Sequence, residues 1–440
     1  MTKTHLGWVG IVRLGLVQSA LGAIVVLTTS TLNRVMAVEY ALPASLPAAL
    51  VAWHYVVQLS RPRWGHGSDT GRARTPWIVV GMGILALGAM LAANAAVMIA
   101  SMPVLGTALA VLAFTMIGGG VAACGTSLLA LLATQAAPER RPAAASITWI
   151  MMIVGIVITA GVTGQLLDPF SPQRLVLVAS GVAGLAFVLT LVAVAGVEKP
   201  MGAAAAEPEA LPFRTALASV WREKLARQFT IFVFVSMLAY SAQDLILEPY
   251  AGLVFGYTLG QSTALAGVQH GGVLLGMILV GLAGTLLRGD RAVWMQRTTV
   301  LGCAMSALAL IALAFAGQAG PGWPLQPTVF ALGFANGVFA VSAIALMMSL
   351  AGQGDTARPG LKMGVWGAAQ AMAFGLGGFA GAAGLDVMRH LIASTPDAFA
   401  AVFAVEGLLF LSAAALMLRL GRQPAAAPAR HAAFELSLRS

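Results

Sequence analysis

Apolar runs of about twenty residues or more alternate with short polar segments along almost the whole chain. A helix needs about 20 apolar residues to cross the hydrocarbon of a bilayer. On that scale the pattern predicts spans near 13–36, 43–61, 77–100, 104–134, 145–166, 174–197, 228–254, 261–287, 297–318, 326–350, 362–386 and 397–419. Barrel strands would show short alternating segments instead. In lipid the backbone must satisfy its own hydrogen bonds, so each unbroken apolar run reads as a helix. The expected fold class is an all-α membrane protein of about 12 transmembrane helices.

The polar segments set the orientation. Arg61, Arg63, Arg72 and Arg74 follow the second run, and Arg140 and Arg141 the fourth. Lys199, Arg214, Arg222, Lys224 and Arg227 follow the sixth, Arg288 and Arg291 the eighth, and Arg358 and Lys362 the tenth. Arg419, Arg422, Arg430 and Arg439 close the chain, whereas the alternate loops offer Arg174, Arg389 and, at an edge, Arg34. Basic residues stay on the cytoplasmic side, so both termini are expected there. The longest polar stretch, Glu198–Arg227, has six runs before it and six after. This divides the chain into an N-terminal half at 1–197, a cytoplasmic linker at 198–227 with a surface helix near Ala216–Leu225, a C-terminal half at 228–420 and a tail at 421–440. Two six-helix halves joined in this way are the layout of the major facilitator fold.

Composition narrows the reading further. Hydrophobic residues make up 59% of the chain and charged residues 9%, against about a quarter charged in a soluble domain. The net charge of +9 is spread over the loops, with no basic face interleaved with aromatics, so nucleic acid is not an expected partner. Cys124 and Cys303 lie in separate apolar runs and read as buried packing residues, not as a disulfide or metal pair. The first run continues past Leu27 without a small-residue cleavage site, so no removable signal peptide is expected. Glycine is frequent inside the runs, as in Gly118-Gly119-Gly120, Gly161 with Gly164, and Gly375 through Gly384, where it permits close helix packing.

The loop after the second run reads Gly65-His66-Gly67-Ser68-Asp69-Thr70-Gly71-Arg72-Ala73-Arg74. It resembles the major facilitator loop motif, which joins the second and third helices through a Gly, an Asp four residues on and following Arg residues. The glycines are expected to form a tight turn, and the Asp to accept hydrogen bonds from helix N-termini. Gly65, Asp69, Arg72 and Arg74 are therefore candidate gating residues. Arg288-Gly289-Asp290-Arg291 resembles a worn second copy.

Three stretches carry a closer resemblance. The first run holds Arg13-Leu14-Gly15-Leu16-Val17-Gln18 and Thr31-Leu32-Asn33-Arg34-Val35-Met36, followed by Glu39. The seventh holds Ala239-Tyr240-Ser241-Ala242-Gln243-Asp244-Leu245-Ile246-Leu247-Glu248-Pro249-Tyr250, continuing to Gly256, and the eighth holds Gly267-Val268-Gln269-His270-Gly271-Gly272-Val273. Together they resemble the PucC-like, or bacteriochlorophyll delivery, family of the major facilitator superfamily, from about residue 8 to residue 420. Within it the chain is similar to the shorter members labelled bacteriochlorophyll synthase chain, through His54-Tyr55 to Arg61-Pro62-Arg63-Trp64-Gly65 and the compact loop to Trp77. The resemblance implies a place in the inner (intracytoplasmic) membrane of a photosynthetic bacterium. It also implies a role in bacteriochlorophyll supply and in light-harvesting or reaction-centre assembly.

Ionisable groups inside spans are costly, and each needs a reason. Asp244 and Glu248, four residues apart, share one face of the seventh helix, and Pro249 is expected to kink or end it. Counted from Arg227, Asp244 lies about 25 Å in. Asn33 and Arg34 reach a comparable depth on the first helix, its counterpart across the central axis. A clamp between Arg34 and Asp244 or Glu248 is one reading; the other is that Arg34 reaches the interface and pairs with Glu39. His54 and His270, with Gln269 beside the latter, are candidate pigment contacts, because neutral imidazole ligates the magnesium of a chlorin; a lone histidine within a membrane more often hydrogen-bonds a neighbouring helix.

Joining a prenyl diphosphate to a chlorophyllide requires carboxylates that hold magnesium. The chain offers one such spacing, Asp244 and Glu248, with no second copy, so catalysis is not expected. The expected function is handling bacteriochlorophyll, or a late precursor, as bound cargo and not as a resident cofactor. Membrane lipid, single-span antenna subunits and pigment-synthesis enzymes are the expected partners. A secondary transporter of an amphipathic solute and an auxiliary subunit of pigment synthesis are the alternatives.

Overall fold

The apolar runs fold as helices, because lipid offers their backbone groups no other partner. The computed structural model describes residues 5–32, 35–40, 42, 45–70, 73–167, 170–198, 212–243, 246–257, 259–286, 290–351 and 358–421. The N-terminal half contains α1 (Trp8–Val26), α2 (Ser45–Val57), α3 (Arg61–Thr70), α4 (Thr75–Ile99), α5 (Pro103–Gln135), α6 (Arg141–Leu166) and α7 (Pro172–Val194). A short helix, α8 (Phe213–Arg222), precedes α9 (Lys224–Ala242), α10 (Leu247–Phe255), α11 (Leu259–Leu286), α12 (Arg291–Ala319), α13 (Leu325–Ala351), α14 (Pro359–Leu391) and α15 (Thr395–Gly421). Among the described residues 11 helices are long and apolar enough to cross a membrane. The remaining bundle position, the second, is α2, whose 13 residues continue through a 3-10 turn at Gln58–Ser60 into the polar α3.

Proline opens α5, α7 and α14, where a missing N–H costs nothing and the fixed φ already suits a helix. The outward faces are apolar: Val154, Val157, Ile158 and Val162 on α6, and Leu177, Leu185, Val188 and Val192 on α7, are exposed. In water such a belt would drive aggregation, whereas in a bilayer it faces a solvent of its own kind.

The packing repeats itself with an offset of six membrane positions. In the first half α1 packs on α6 and α7, α4 on α5 and α7, and α2 on α5. In the second half α9 packs on α14 and α15, α12 on α13 and α15, and α11 on α13, the same five pairings. The seam between halves obeys the same exchange: α2–α3 against α14 mirrors α11 against α6, and α5 against α14 mirrors α13 against α6. Glycines allow these approaches. Gly272 and Gly276 on α11 meet the backbone of α13, and Gly333 and Gly337 on α13 meet that of α11. Gly118 does the same against His54 and Val57 in the first half. Gly161 and Gly164, expected to pack, have nothing within 4 Å. Cys124 and Cys303 are buried and free, as read from the sequence.

Three local features differ from the expectation. Gly65 and Gly67 make no turn, since they lie inside α3. The first helix widens into π-helical turns at Leu27–Thr31 and Val35–Glu39, a geometry that interrupts the regular ladder. The seventh position is two helices, not one: α9 stops at Ala242, Ile246 N–H donates to Gln243 O, and α10 restarts at Leu247. The break therefore precedes Pro249, which sits in the first turn of α10, where proline is tolerated. Gly256 ends α10 at φ 69°, a left-handed state that favours glycine. Tyr250 fixes α10 by burying its ring against Phe255, Phe399 and Phe403 and donating its hydroxyl to Leu313 O. Much of the seventh-run stretch is thus used for packing.

Candidate functional site

The two halves meet tightly at the end of the bundle that carries the basic loops, through α3 and α14. A Cβ on Gly65 would overlap Gly360 O, and one on Gly364 would stand 2.5 Å from Arg61 O. Only hydrogen fits at these crossings, so the backbones touch. Asp69, one turn beyond Gly65, uses that proximity. Its Oδ1 accepts from Gly360 N–H at 2.8 Å and its Oδ2 from Leu361 N–H at 2.8 Å, which caps the N-terminus of α14 across the seam. The helix dipole and the unpaired N–H groups of a first turn favour a carboxylate there. Arg74 Nη2 donates to Asp69 Oδ1 at 2.8 Å, and both side chains are buried. Burial pushes the Asp69 carboxyl above its ordinary value, against the pull of Arg74 and the two amides.

Other contacts close the same end. Glu198 accepts from Arg74 N–H and Thr75 N–H, capping α4. Lys362 Nζ lies 2.8 Å from Glu223 Oε2, with the lysine 1% exposed. Phe213 of α8 carries Arg63 over its ring at 5.8 Å and His66 at its edge. On the pseudo-symmetric side Ser146 donates to Met277 O at 3.0 Å, and Gly281 and Gly284 sit against Ser146 and Pro142. Asp290 caps its own α12 through Ala292 N–H and Val293 N–H. Beside it Arg291 faces Glu139 of the opposite half at 4.0 Å, so the described part of the worn copy meets the seam through its arginine, while its carboxylate caps its own helix.

Deeper in the bundle His54 is 1% exposed. Its Nδ1 donates to Val51 O at 2.8 Å, which leaves Nε2 to accept from Gln58 Nε2 at 2.8 Å. Gln58 Oε1 in turn accepts from Arg61 Nε, at 3.2 Å, and from Arg61 Nη2. Both imidazole nitrogens are therefore engaged within their own helix. Tyr55 stacks on Phe374 of α14 at 6.5 Å, and Tyr240 of α9 leans on the same ring at 6.0 Å. Gln269 is buried and His270 exposed on α11, which packs on α13 and α6, whereas α2 packs on α5 and α14.

The chain matches the family described as PUCC protein over residues 31–424. The chain belongs to this family. It is 52% identical, over 411 residues, to the Rhodobacter capsulatus protein named bacteriochlorophyll synthase 44.5 kDa chain, covering 93% of this chain and 94% of that one. It is 31% identical to Protein PucC of Cereibacter sphaeroides, covering 91% and 90% respectively. Among solved structures, a bacterial homologue of the iron transporter ferroportin in an outward-facing state superposes with a TM-score of 0.71 at 13% identity, covering 94% of this chain and 98% of that chain. The major facilitator superfamily proton:xylose symporter XylE gives 0.68 at 17%, covering 93% and 94%. At these identities the likeness concerns the fold, and the fold is that of the major facilitator superfamily.

In this PUCC member the structure brings Gly65, Asp69 and Arg74 to one point of the seam, while Arg72 lies outside the described residues. Asn33, Arg34 and Asp244 also lie outside them, as does the side chain of Glu248. Sequence reading missed Glu198 as the cap of α4 and Glu223 as a partner of Lys362, because each meets its helix only after more than a hundred residues of intervening chain. It counted Lys362 as a loop charge; the Gly360–Lys362 turn instead buries it beside the Asp69 cap.

Proposed function

We propose that this PUCC-family chain is a non-catalytic membrane factor that handles bacteriochlorophyll, or a late precursor, for assembly of light-harvesting and reaction-centre pigment–protein complexes. The observation that carries the reading is the 52% identity, along 93% of the chain, to a relative named as a chain of bacteriochlorophyll synthase. The fold turns that association towards supply and away from synthesis. Two helical halves meet at a seam whose charges, among the described residues, gather at its basic end, and the apolar remainder suits a macrocycle and its isoprenoid tail. The apolar belt of α6 and α7 offers single-span antenna subunits a lipid-like surface. The basic end carries the chain's cytoplasmic loops by the positive-inside rule, and both termini lie on that side of the bacterial inner membrane. Gly65, Asp69, Arg72 and Arg74 gate the cytoplasmic end. Arg34 with Asp244 or Glu248 clamps the opposite end beside Asn33, and His270 with Gln269 contributes to the pigment contact.

The test is a deletion strain analysed by absorption spectroscopy and by pigment extraction. Reduced antenna or reaction-centre bands with normal free-pigment synthesis are expected; normal complexes would remove the reading. Purified protein should carry a chlorin absorption band, and gradient-driven uptake of an unrelated solute by proteoliposomes would favour a transporter in its place. Charge reversal at Arg34 should impair accumulation and a compensating Lys at Asp244 restore it; no rescue by the pair would count against the clamp.

A further inference from the structure

Neither the cytoplasmic gate nor the Arg34 clamp uses Arg61. It opens α3 where the second membrane position turns polar, and it is only half-buried although the backbone of α14 touches its own. An arginine that merely anchored the helix would extend towards lipid headgroups. Arg61 does not. Its Nε and Nη2 fold back onto Gln58 Oε1, and its Nη1 lies where a Cβ of Gly367 would stand, 2.8 Å away, inside the seam. Gln58 is itself held by His54, and His54 by Val51 O, so a three-residue chain fixes the direction of the guanidinium.

A guanidinium has five N–H donors. Two go to Gln58, and among the described residues the remaining three, two on Nη1 and one on Nη2, meet no acceptor and the group meets no carboxylate. An oriented, uncompensated cation at the edge of a membrane seam is costly to maintain and presents the planar fork that matches an oxyanion. Deeper along the same seam Tyr55, Phe374 and Tyr240 form an aromatic wall. Gly375 faces Tyr55 as Gly367 faces Arg61, and the two glycines lie about 12 Å apart along α14.

We infer that Arg61 receives the oxyanion, carboxylate or phosphate, of an amphipathic ligand whose flat apolar body lies against Tyr55 and Phe374 between α2 and α14. The body's identity as a tetrapyrrole rests on the proposed pigment-handling role; the oxyanion site does not. Such a site selects a free acid over its ester, because esterification removes the charge and leaves the three donors unpaired.

Purified full-length protein in phosphatidylcholine nanodiscs would be titrated with a chlorin bearing one free carboxylic acid, pheophorbide, and with its methyl ester. The acid is expected to bind about tenfold or more tighter. Arg61→Gln should abolish that preference while leaving ester binding in place. Gly367→Ala, which keeps the charge but crowds Nη1, should reduce it. A second arm incorporates phosphatidate and measures its co-purification with wild type and with Arg61→Gln. Phosphatidate retained through Arg61 while neither chlorin binds would uphold the oxyanion site, assign it to a lipid headgroup and defeat the pigment reading. Equal binding of acid and ester by wild type, or an acid preference that survives Arg61→Gln, would overturn the site while leaving pigment handling intact.

Discussion

Replacing Asp69 with asparagine should loosen the basic end of the seam by an amount the structure allows to be worked out. The carboxylate accepts three charge-assisted hydrogen bonds at 2.8 Å, from Gly360 N–H, Leu361 N–H and Arg74 Nη2. Asparagine keeps one carbonyl oxygen and turns an NH2 group towards donors that then have no acceptor. One charge-assisted bond is worth about 1.5–3 kcal/mol. Arg74, buried beside it, also loses its counter-charge. Removing one partner of a buried pair costs about 3–5 kcal/mol, which corresponds to a shift on the order of a hundredfold to several thousandfold between closed and separated ends. The assay is cross-linking in native membranes between cysteines placed at Glu139 and Arg291, whose side chains face each other across the seam at 4.0 Å. Cys124 and Cys303 would first be replaced by Ala. Asp69→Asn should sharply reduce a bis-maleimide cross-link, and adding Arg74→Gln should recover part of it by removing the stranded charge. Undiminished cross-linking in Asp69→Asn, or a double variant worse than the sum of the two singles, would refute the reasoning.

Gly65→Ala should reduce accumulation of the protein severely, because its Cβ would overlap Gly360 O. Gly164→Ala, whose Cβ would meet nothing within 4 Å, should be neutral or stabilising by up to about 1 kcal/mol; thermal midpoints in detergent compare the two. Lys362→Met alone should destabilise by about 1.5–3 kcal/mol, the worth of a hydrogen bond to a charged group, because the Glu223 left behind is 22% exposed, and adding Glu223→Gln should cost little more; a denaturation series over the cycle measures the coupling. His54→Leu should lower stability with co-purified pigment retained, because its nitrogens already serve Val51 and Gln58. His270→Leu should lower the pigment content, and unchanged pigment would remove His270 as a contact.

The Asp69 cap shows where reading from sequence succeeds and where it stops. Asp69 was legible as a helix-capping carboxylate, because its spacing from Gly65 and Arg74 is local. The helix it caps was not, since α14 begins almost three hundred residues later. Gly65 was legible as a position where bulk is excluded, but the reason assigned, a turn, was wrong. A glycine needed for close approach and one needed for a turn look alike in sequence. His54 was legible as a buried polar group, yet whether its nitrogens were open for a ligand depended on the rotamer of Gln58 one turn away. Arg61 was counted with the topogenic charges, and only its fold-back onto Gln58 separates it from Arg63 beside it.

Hydrophobic run length indicated the membrane helices and their layout as two six-run halves, because the cost of exposing backbone polar groups to lipid leaves a long apolar segment one conformation; the break of the seventh run into α9 and α10 was not legible in it. The charge of the short loops likewise indicated an orientation without reference to packing. Which glycines touch, which carboxylate caps which helix and which cation meets no carboxylate among the described residues depended on how the helices dock. The carboxylate contacts join residues more than a hundred positions apart, at distances where a shift of one ångström makes or breaks a hydrogen bond.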